Sequence, residues 1–128
     1  MFTTLLVEDN AQFRSDLSTI LCESFVDIDV IEADDYKQAA CYLKTQFFDL
    51  ILLDIRLPEG NGLNLIPHIR ASGSKDVTIV VLSNNDLPEY RQCALESGAD
   101  AYISKCSNCV GDIIGQVELT MHASKNTH

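Results

Sequence analysis

Residues 50–62 read Leu-Ile-Leu-Leu-Asp-Ile-Arg-Leu-Pro-Glu-Gly-Asn-Gly. Leu50–Leu53 is continuously apolar, the pattern of a strand covered on both faces rather than one with a wet side. A carboxylate, Asp54, ends it. Short, largely apolar runs recur on either side, at Thr3–Val7, Ile28–Ile31, Val77–Leu82 and Ala101–Ile103. Between them lie stretches with helical spacing. Phe13, Leu17, Ile20 and Leu21 form one apolar stripe, Tyr36, Ala40, Leu43 and Phe47 a second, and Leu63, Ile66 and Ile69 a third. The stretch Tyr90–Ser97 is the least clear, and Val110, Ile113, Ile114, Val117 and Met121 form the last. Asn10 and Asp34 suit helix N-caps, Pro88 after Asp86 suits the start of the fourth helix, and Gly73 and Gly98 suit helix ends. The pattern is β-α repeated five times. Right-handed crossovers then predict an α/β fold, an open parallel sheet with helices on both faces.

The chain has 128 residues, the size of one domain. It is expected to form that domain over 1–123, with 124–128 a disordered tail. Nine Lys and Arg against 19 Asp and Glu give a formal charge of −10. Such a field repels phosphate backbones and anionic membrane surfaces, so neither nucleic acid nor membrane is an expected partner. It suits a cation or a basic protein patch. No run approaches the roughly 18 apolar residues of a membrane span, and the N-terminus does not read as a signal peptide. Five scattered cysteines, an odd number, are most simply reduced thiols, which makes the expected compartment cytoplasmic.

In open α/β sheets, ligands bind beyond the carboxyl ends of the strands. Strand one ends at Glu8 and Asp9, strand three at Asp54, strand four at Ser83, and strand five just before Lys105. Three carboxylates, a hydroxyl and an ammonium therefore converge on one edge. Two carboxylates about 5 Å apart repel by roughly 3 kcal/mol at an effective dielectric of ~20. Three together call for a hard cation with oxygen ligands, such as Mg2+ or Mn2+.

The stretches Leu-Val-Glu-Asp-Asn at 6–10, Leu-Leu-Asp-Ile-Arg-Leu-Pro-Glu-Gly-Asn-Gly at 52–62, Val-Leu-Ser at 81–83 and Gly-Ala-Asp-Ala-Tyr-Ile-Ser-Lys at 98–105 resemble, in order, the receiver domain of two-component response regulators. The resemblance covers about residues 3–122. It implies a flavodoxin-like sheet of order 2-1-3-4-5 and a phosphorylation-dependent signalling switch. Asp54 matches the phosphoacceptor, served by a sensor histidine kinase, a phosphotransfer protein or a small phosphodonor. Glu8 and Asp9 match the acidic metal pair, completed by Asp54 and the backbone carbonyl of Arg56. Lys105 and Ser83 match the groups that hold phosphoryl oxygens, and Tyr102 the switch aromatic that turns inward once the hydroxyl moves. Asn84, Asn85 and Arg56 flank the phosphoryl site, and the last two should set the lifetime of the modified state. The implied partners are a kinase, an output domain or effector protein, and a second copy through the face of helix four, strand five and helix five. No turnover of an external substrate is implied.

Several positions depart from the family pattern. Glu8 stands where aspartate is usual, which makes Asp9 the expected closer ligand. Asn84 follows the switch hydroxyl where a small residue is common. Cys106 replaces the proline after Lys105, leaving open whether that bond is trans or a cis bond costing about 2.5–4 kcal/mol. Cys106 and Cys109 form a Cys-x-x-Cys with a redox reading and a bland one, two small residues in a reducing cell. His68, His122 and His128 show no ligand spacing and are expected at the surface. Among competing functions, a haloacid-dehalogenase-type phosphatase needs a second Asp where Arg56 stands. A nucleotide or flavin module needs a glycine-rich first turn, and Glu-Asp-Asn-Ala-Gln has none. A degenerate receiver, binding partners without phosphate, stays as the alternative.

Overall fold

The computed structural model describes residues 2–57, 60–71, 77–84, 88–105 and 110–126, with backbone alone at 110 and 122–126. Five strands, β1 (Phe2–Val7), β2 (Ile28–Ala33), β3 (Leu50–Asp54), β4 (Thr78–Ser83) and β5 (Ala101–Ser104), form one parallel sheet in the order β2-β1-β3-β4-β5. The helices between them are α1 (Ala11–Ser24), α2 (Tyr36–Thr45), α3 (Leu65–Ala71), α4 (Pro88–Ser97) and α5 (Val110–Asn126). A hairpin of two-residue strands, Arg56–Leu57 and Gly60–Asn61, and a 3-10 turn at Gly62–Asn64 join β3 to α3. Pro67 falls in the first turn of α3, where its missing N–H has no partner to lose.

Because strand side chains alternate faces, each apolar run is divided between two cores. Leu50 and Leu52 of β3 pack with Leu17, Leu21, Ile113 and Val117, on the α1 and α5 side. Ile51 and Leu53 pack with Ala39, Ile66, Ile69 and Ala94, on the side of α2, α3 and α4. All four are buried, which is why the run carries no polar residue.

Local signals set the helix ends. Asn10 caps α1, its side chain accepting from Phe13 N at 2.9 Å. At α2 the cap is Asp35 rather than the expected Asp34. Asp35 is the residue in extended backbone, and its Oδ1 accepts from Gln38 N at 2.7 Å. Phe47 also departs from expectation: it is 78% exposed, while Phe48 is buried. Helix α2 stops at Thr45, so the helical period does not extend to Phe47. Gly98 ends α4 as expected, at φ +119, a conformation open to a residue without a Cβ. Helix α5 continues through Asn126, past the domain end expected at 123; nothing after Gly115 breaks it. The caps and ends expected at Asp86 and Gly73 lie outside the described residues.

One core atom is poorly served. Thr4, fully buried in β1, has a hydroxyl with no hydrogen-bond partner among the described residues. A desolvated hydroxyl without a partner costs about 1–3 kcal/mol. Thr4→Val, which keeps the branched shape, should raise stability by about 1 kcal/mol in urea denaturation. An unchanged or lower midpoint would contradict it.

Candidate functional site

The register brings four strand ends level. Val7 stands beside Ala33 and Leu53, Asp54 beside Leu82, and Ser83 beside Ser104. Two bonds beyond the strands extend the ladder: Glu8 N donates to Ala33 O at 3.0 Å, and Lys105 N to Ser83 O at 2.7 Å. The strand order reverses at β1, with β2 added on one side and β3 on the other, so the ends of β1 and β3 open into a crevice. It is a cleft of about 560 Å³ lined by Glu8, Asp9, Asn10, Phe13, Asp54, Arg56, Ser83, Asn84 and Lys105. A second cleft of about the same volume, over α2 between Tyr36, Leu43, Phe47, Leu65 and His68, has no carboxylate in its lining. Charge, not volume, distinguishes the first.

Lys105 is the centre of the crevice. Its Nζ pairs with Glu8 Oε1 and with Asp54 Oδ2, the latter at 3.2 Å, and lies 4.8 Å from the centre of the Phe13 ring. The Lys105 side chain is only 8% exposed and that of Glu8 is fully buried. Glu8 Oε2 also accepts from Asn10 N at 3.2 Å, and its backbone carbonyl from Arg14 at 2.8 Å. Asp54 Oδ1 accepts from Arg56 N at 3.3 Å, so the hairpin backbone touches the carboxylate.

Burial pushes the Glu8 carboxyl above its ordinary value, and the Asp54 carboxylate beside it pushes the same way. Lys105 opposes them without reversing the direction. Oxygens of Glu8, Asp9 and Asp54 all lie within 4.8 Å of one another, Asp9 exposed and the other two buried. This hard, all-oxygen set at that spacing fits a divalent cation. Both oxygens of Glu8 and both of Asp54 already accept hydrogen bonds, which leaves the exposed Asp9 the readiest direct ligand.

The crevice thus holds the expected Glu8, Asp9, Asp54, Ser83, Asn84, Lys105 and the Arg56 backbone together. Ser83 is buried and Asn84 exposed at the rim. Tyr102 stands apart, packed among the α2–α4 core at 8% exposure, its ring already inward. Asn85, the Lys105–Cys106 bond and the Cys106–Cys109 pair lie outside the described residues. So do His128 and the His122 side chain, whereas His68 is exposed as expected. Phe13, expected only in an apolar stripe, and Arg14, for which no site role was expected, join the site. The available signal was their place in the first turn after β1, directly above the carboxylates.

Residues 4–112 match the family model of the response regulator receiver domain. The chain belongs to that family. It is 39% identical over 102 residues to the phosphate regulon transcriptional regulatory protein PhoB of Escherichia coli, covering 79% of this chain and 44% of that one. The receiver therefore spans less than half the length of this curated relative. Among solved structures it superposes on the Francisella response regulator 1452 receiver domain with a TM-score of 0.83, at 25% identity over 100% of both chains. A response regulator of Burkholderia pseudomallei, solved with a phosphorylated aspartic acid, calcium ion and citrate, gives 0.78 at 25% identity. That match covers 89% of this receiver and 65% of the other chain. Among the described residues, no helix is long and apolar enough to cross a membrane.

Proposed function

We propose that this receiver is a phosphorylation-dependent switch in which Asp54 is the phosphoacceptor. The observation that carries the reading is Lys105 Nζ joined to both Glu8 and Asp54, with the Asp9 carboxylate in the same crevice. An Asp54 oxygen attacks the phosphorus of a histidine kinase phosphoimidazole, a phosphotransfer protein or acetyl phosphate. The donor's P–N or P–O bond breaks and its electron pair leaves with imidazole or acetate. Asp9, Asp54 and Glu8, with the Arg56 carbonyl, would hold Mg2+ or Mn2+, which when bound neutralises charge and orients phosphoryl oxygens. Phosphoryl transfer otherwise asks the protein for positioning and electrostatics. Lys105 moves from the carboxylates to a phosphoryl oxygen, and the Ser83 hydroxyl donates to another. Asn84 and Asn85 flank the entrance and, with Arg56, govern loss of the group.

The change at Ser83 is read out through Tyr102 and the face of α4, β5 and α5, towards an output domain, an effector or a second copy of the chain. The setting is cytoplasmic, and the chemistry is modification of the receiver itself, without external turnover. The alternative is a phosphate-independent binding module, favoured by Asn84 at the rim of the crevice where a small residue is common. Intact mass after acetyl phosphate, with and without Mg2+, separates the two. The switch gains one phosphoryl group (~80 Da) in the presence of metal, and Asp54→Asn gains none. No gain in either chain would favour the binding module.

Metal capture should depend on pH. The raised Glu8 carboxyl holds its proton to higher pH than a free glutamate, and an ionised set binds cations better. Mg2+ affinity should therefore begin to fall at a higher pH than it would for a free glutamate, and this slope should flatten in Glu8→Gln. The metal-free chain responds oppositely. A raised folded value favours the protonated native state, so Glu8's contribution is full below 4.5 and lost as pH rises through the folded value. Equal slopes in wild type and Glu8→Gln would contradict both statements.

A further inference from the structure

Phe13 packs against the α1 and α5 core but also reaches beyond it into the crevice. Its ring is only partly buried, lines the acidic crevice and faces the Lys105 ammonium at 4.8 Å, alongside two carboxylates. Its backbone is fixed from the same crevice. The Asn10 side chain accepts from Phe13 N at 2.9 Å, and the Asn10 backbone N–H donates to Glu8 Oε2 at 3.2 Å. One residue therefore ties the ring and the buried carboxylate into a single frame around the cation. Each ammonium contact is of a different kind: Glu8 and Asp54 attract it as charges, and the ring attracts it through its quadrupole without accepting a proton.

We propose that Phe13 is a positioning residue for phosphoryl uptake, its ring face holding Lys105 over Asp54. The inference rests on the phosphoacceptor reading above. When a phosphoryl group arrives, Lys105 has to release carboxylate oxygens for phosphoryl oxygens, and charge attraction to Glu8 opposes that exchange. The ring favours the cation whichever oxygens it bonds. It therefore keeps Nζ in the crevice during the exchange, where an aliphatic side chain of similar size offers no such attraction. Phe13 offers no oxygen to a cation, so metal binding should be insensitive to it.

The test compares Phe13→Leu, Phe13→Met and Phe13→Trp with wild type, all as the full chain. Phosphorylation by acetyl phosphate in saturating Mg2+ is followed by intact mass, and the Lys105 ε-proton shifts are read by NMR in the unmodified chain. Leu and Met should slow uptake about three- to tenfold at unchanged Mg2+ affinity and remove the ring-current displacement of the ε-protons. Trp should restore both. Uptake at the wild-type rate in Leu and Met, or Trp as slow as either, overturns the proposal. So does the absence of any ring-current difference between wild type and Met. If Leu fails to fold, Met carries the comparison. A wild-type chain that takes no phosphoryl group fails the phosphoacceptor reading itself, and a wild-type chain that does so while all variants match it fails only this inference.

Discussion

Lys105→Ala should destabilise the metal-free chain by about 3 kcal/mol at pH about 7.5, and much less at pH about 5. The ammonium is the shared cation of two buried carboxylates. Removing one partner of a buried ion pair typically costs about 3–5 kcal/mol, because the charge left behind has neither water nor a counter-ion. Here the loss should fall at the low end. Glu8 already favours its proton, so it can neutralise itself when the cation goes. That escape is easier in acid, which gives the pH dependence its sign. Millimolar Mg2+ should narrow the gap at pH about 7.5 by supplying another cation. Urea denaturation of both proteins under the three conditions checks this. An equal loss at both pH values would mean that Lys105 acts through packing of its aliphatic stem, not its charge.

The sheet was legible because a parallel strand buried on both faces leaves an unbroken apolar run. The runs at 50–53 and 79–82 could not be mistaken for wet strands. The site was legible for the same reason, since the first polar residues after such runs must lie at the carboxyl edge. Smaller choices were not. Asp34 and Asp35 have the same capping chemistry, and only the backbone conformation distinguishes them. Phe47 continued a helical spacing beyond the point where the chain leaves the helix. Tyr102 lies in a strand with core on both sides, so alternation alone does not say whether its ring is inside. The contact between Lys105 and Glu8 spans 97 positions of sequence. Their positions at strand ends placed both groups at one edge, but the preference of Lys105 for a buried glutamate over solvent needs the coordinates.

The turn after β3 supplies the other large effect. An ideal Cβ on Gly62 would lie 2.0 Å from the Asp54 carbonyl oxygen and 3.0 Å from its carbonyl carbon. Gly62 N also donates to Ile55 O at 2.7 Å, so the turn is drawn tightly onto the backbone that carries Asp54. Neither side can swing away as a side chain can. Gly62→Ala should therefore cost about 2–3 kcal/mol, at the upper end of overpacking, and slow phosphoryl uptake by displacing Asp54. Two other glycines make the comparison diagnostic. A Cβ at Gly60 would meet Tyr36 at Cδ2 (2.6 Å), Cγ (2.7 Å) and Cβ (3.1 Å), but this half-buried side chain can shift as a backbone carbonyl cannot, so Gly60→Ala should cost about 1–2 kcal/mol, less than Gly62→Ala. At Gly115, within α5, nothing lies within 4 Å of the added methyl, and Gly115→Ala should stabilise by up to about 1 kcal/mol through helix propensity. Denaturant midpoints in the order Gly115→Ala, wild type, Gly60→Ala, Gly62→Ala, with uptake slowed only in the last, would establish that the turn is held against Asp54 by a steric limit. Gly62→Ala at or above Gly60→Ala would remove that account of the turn.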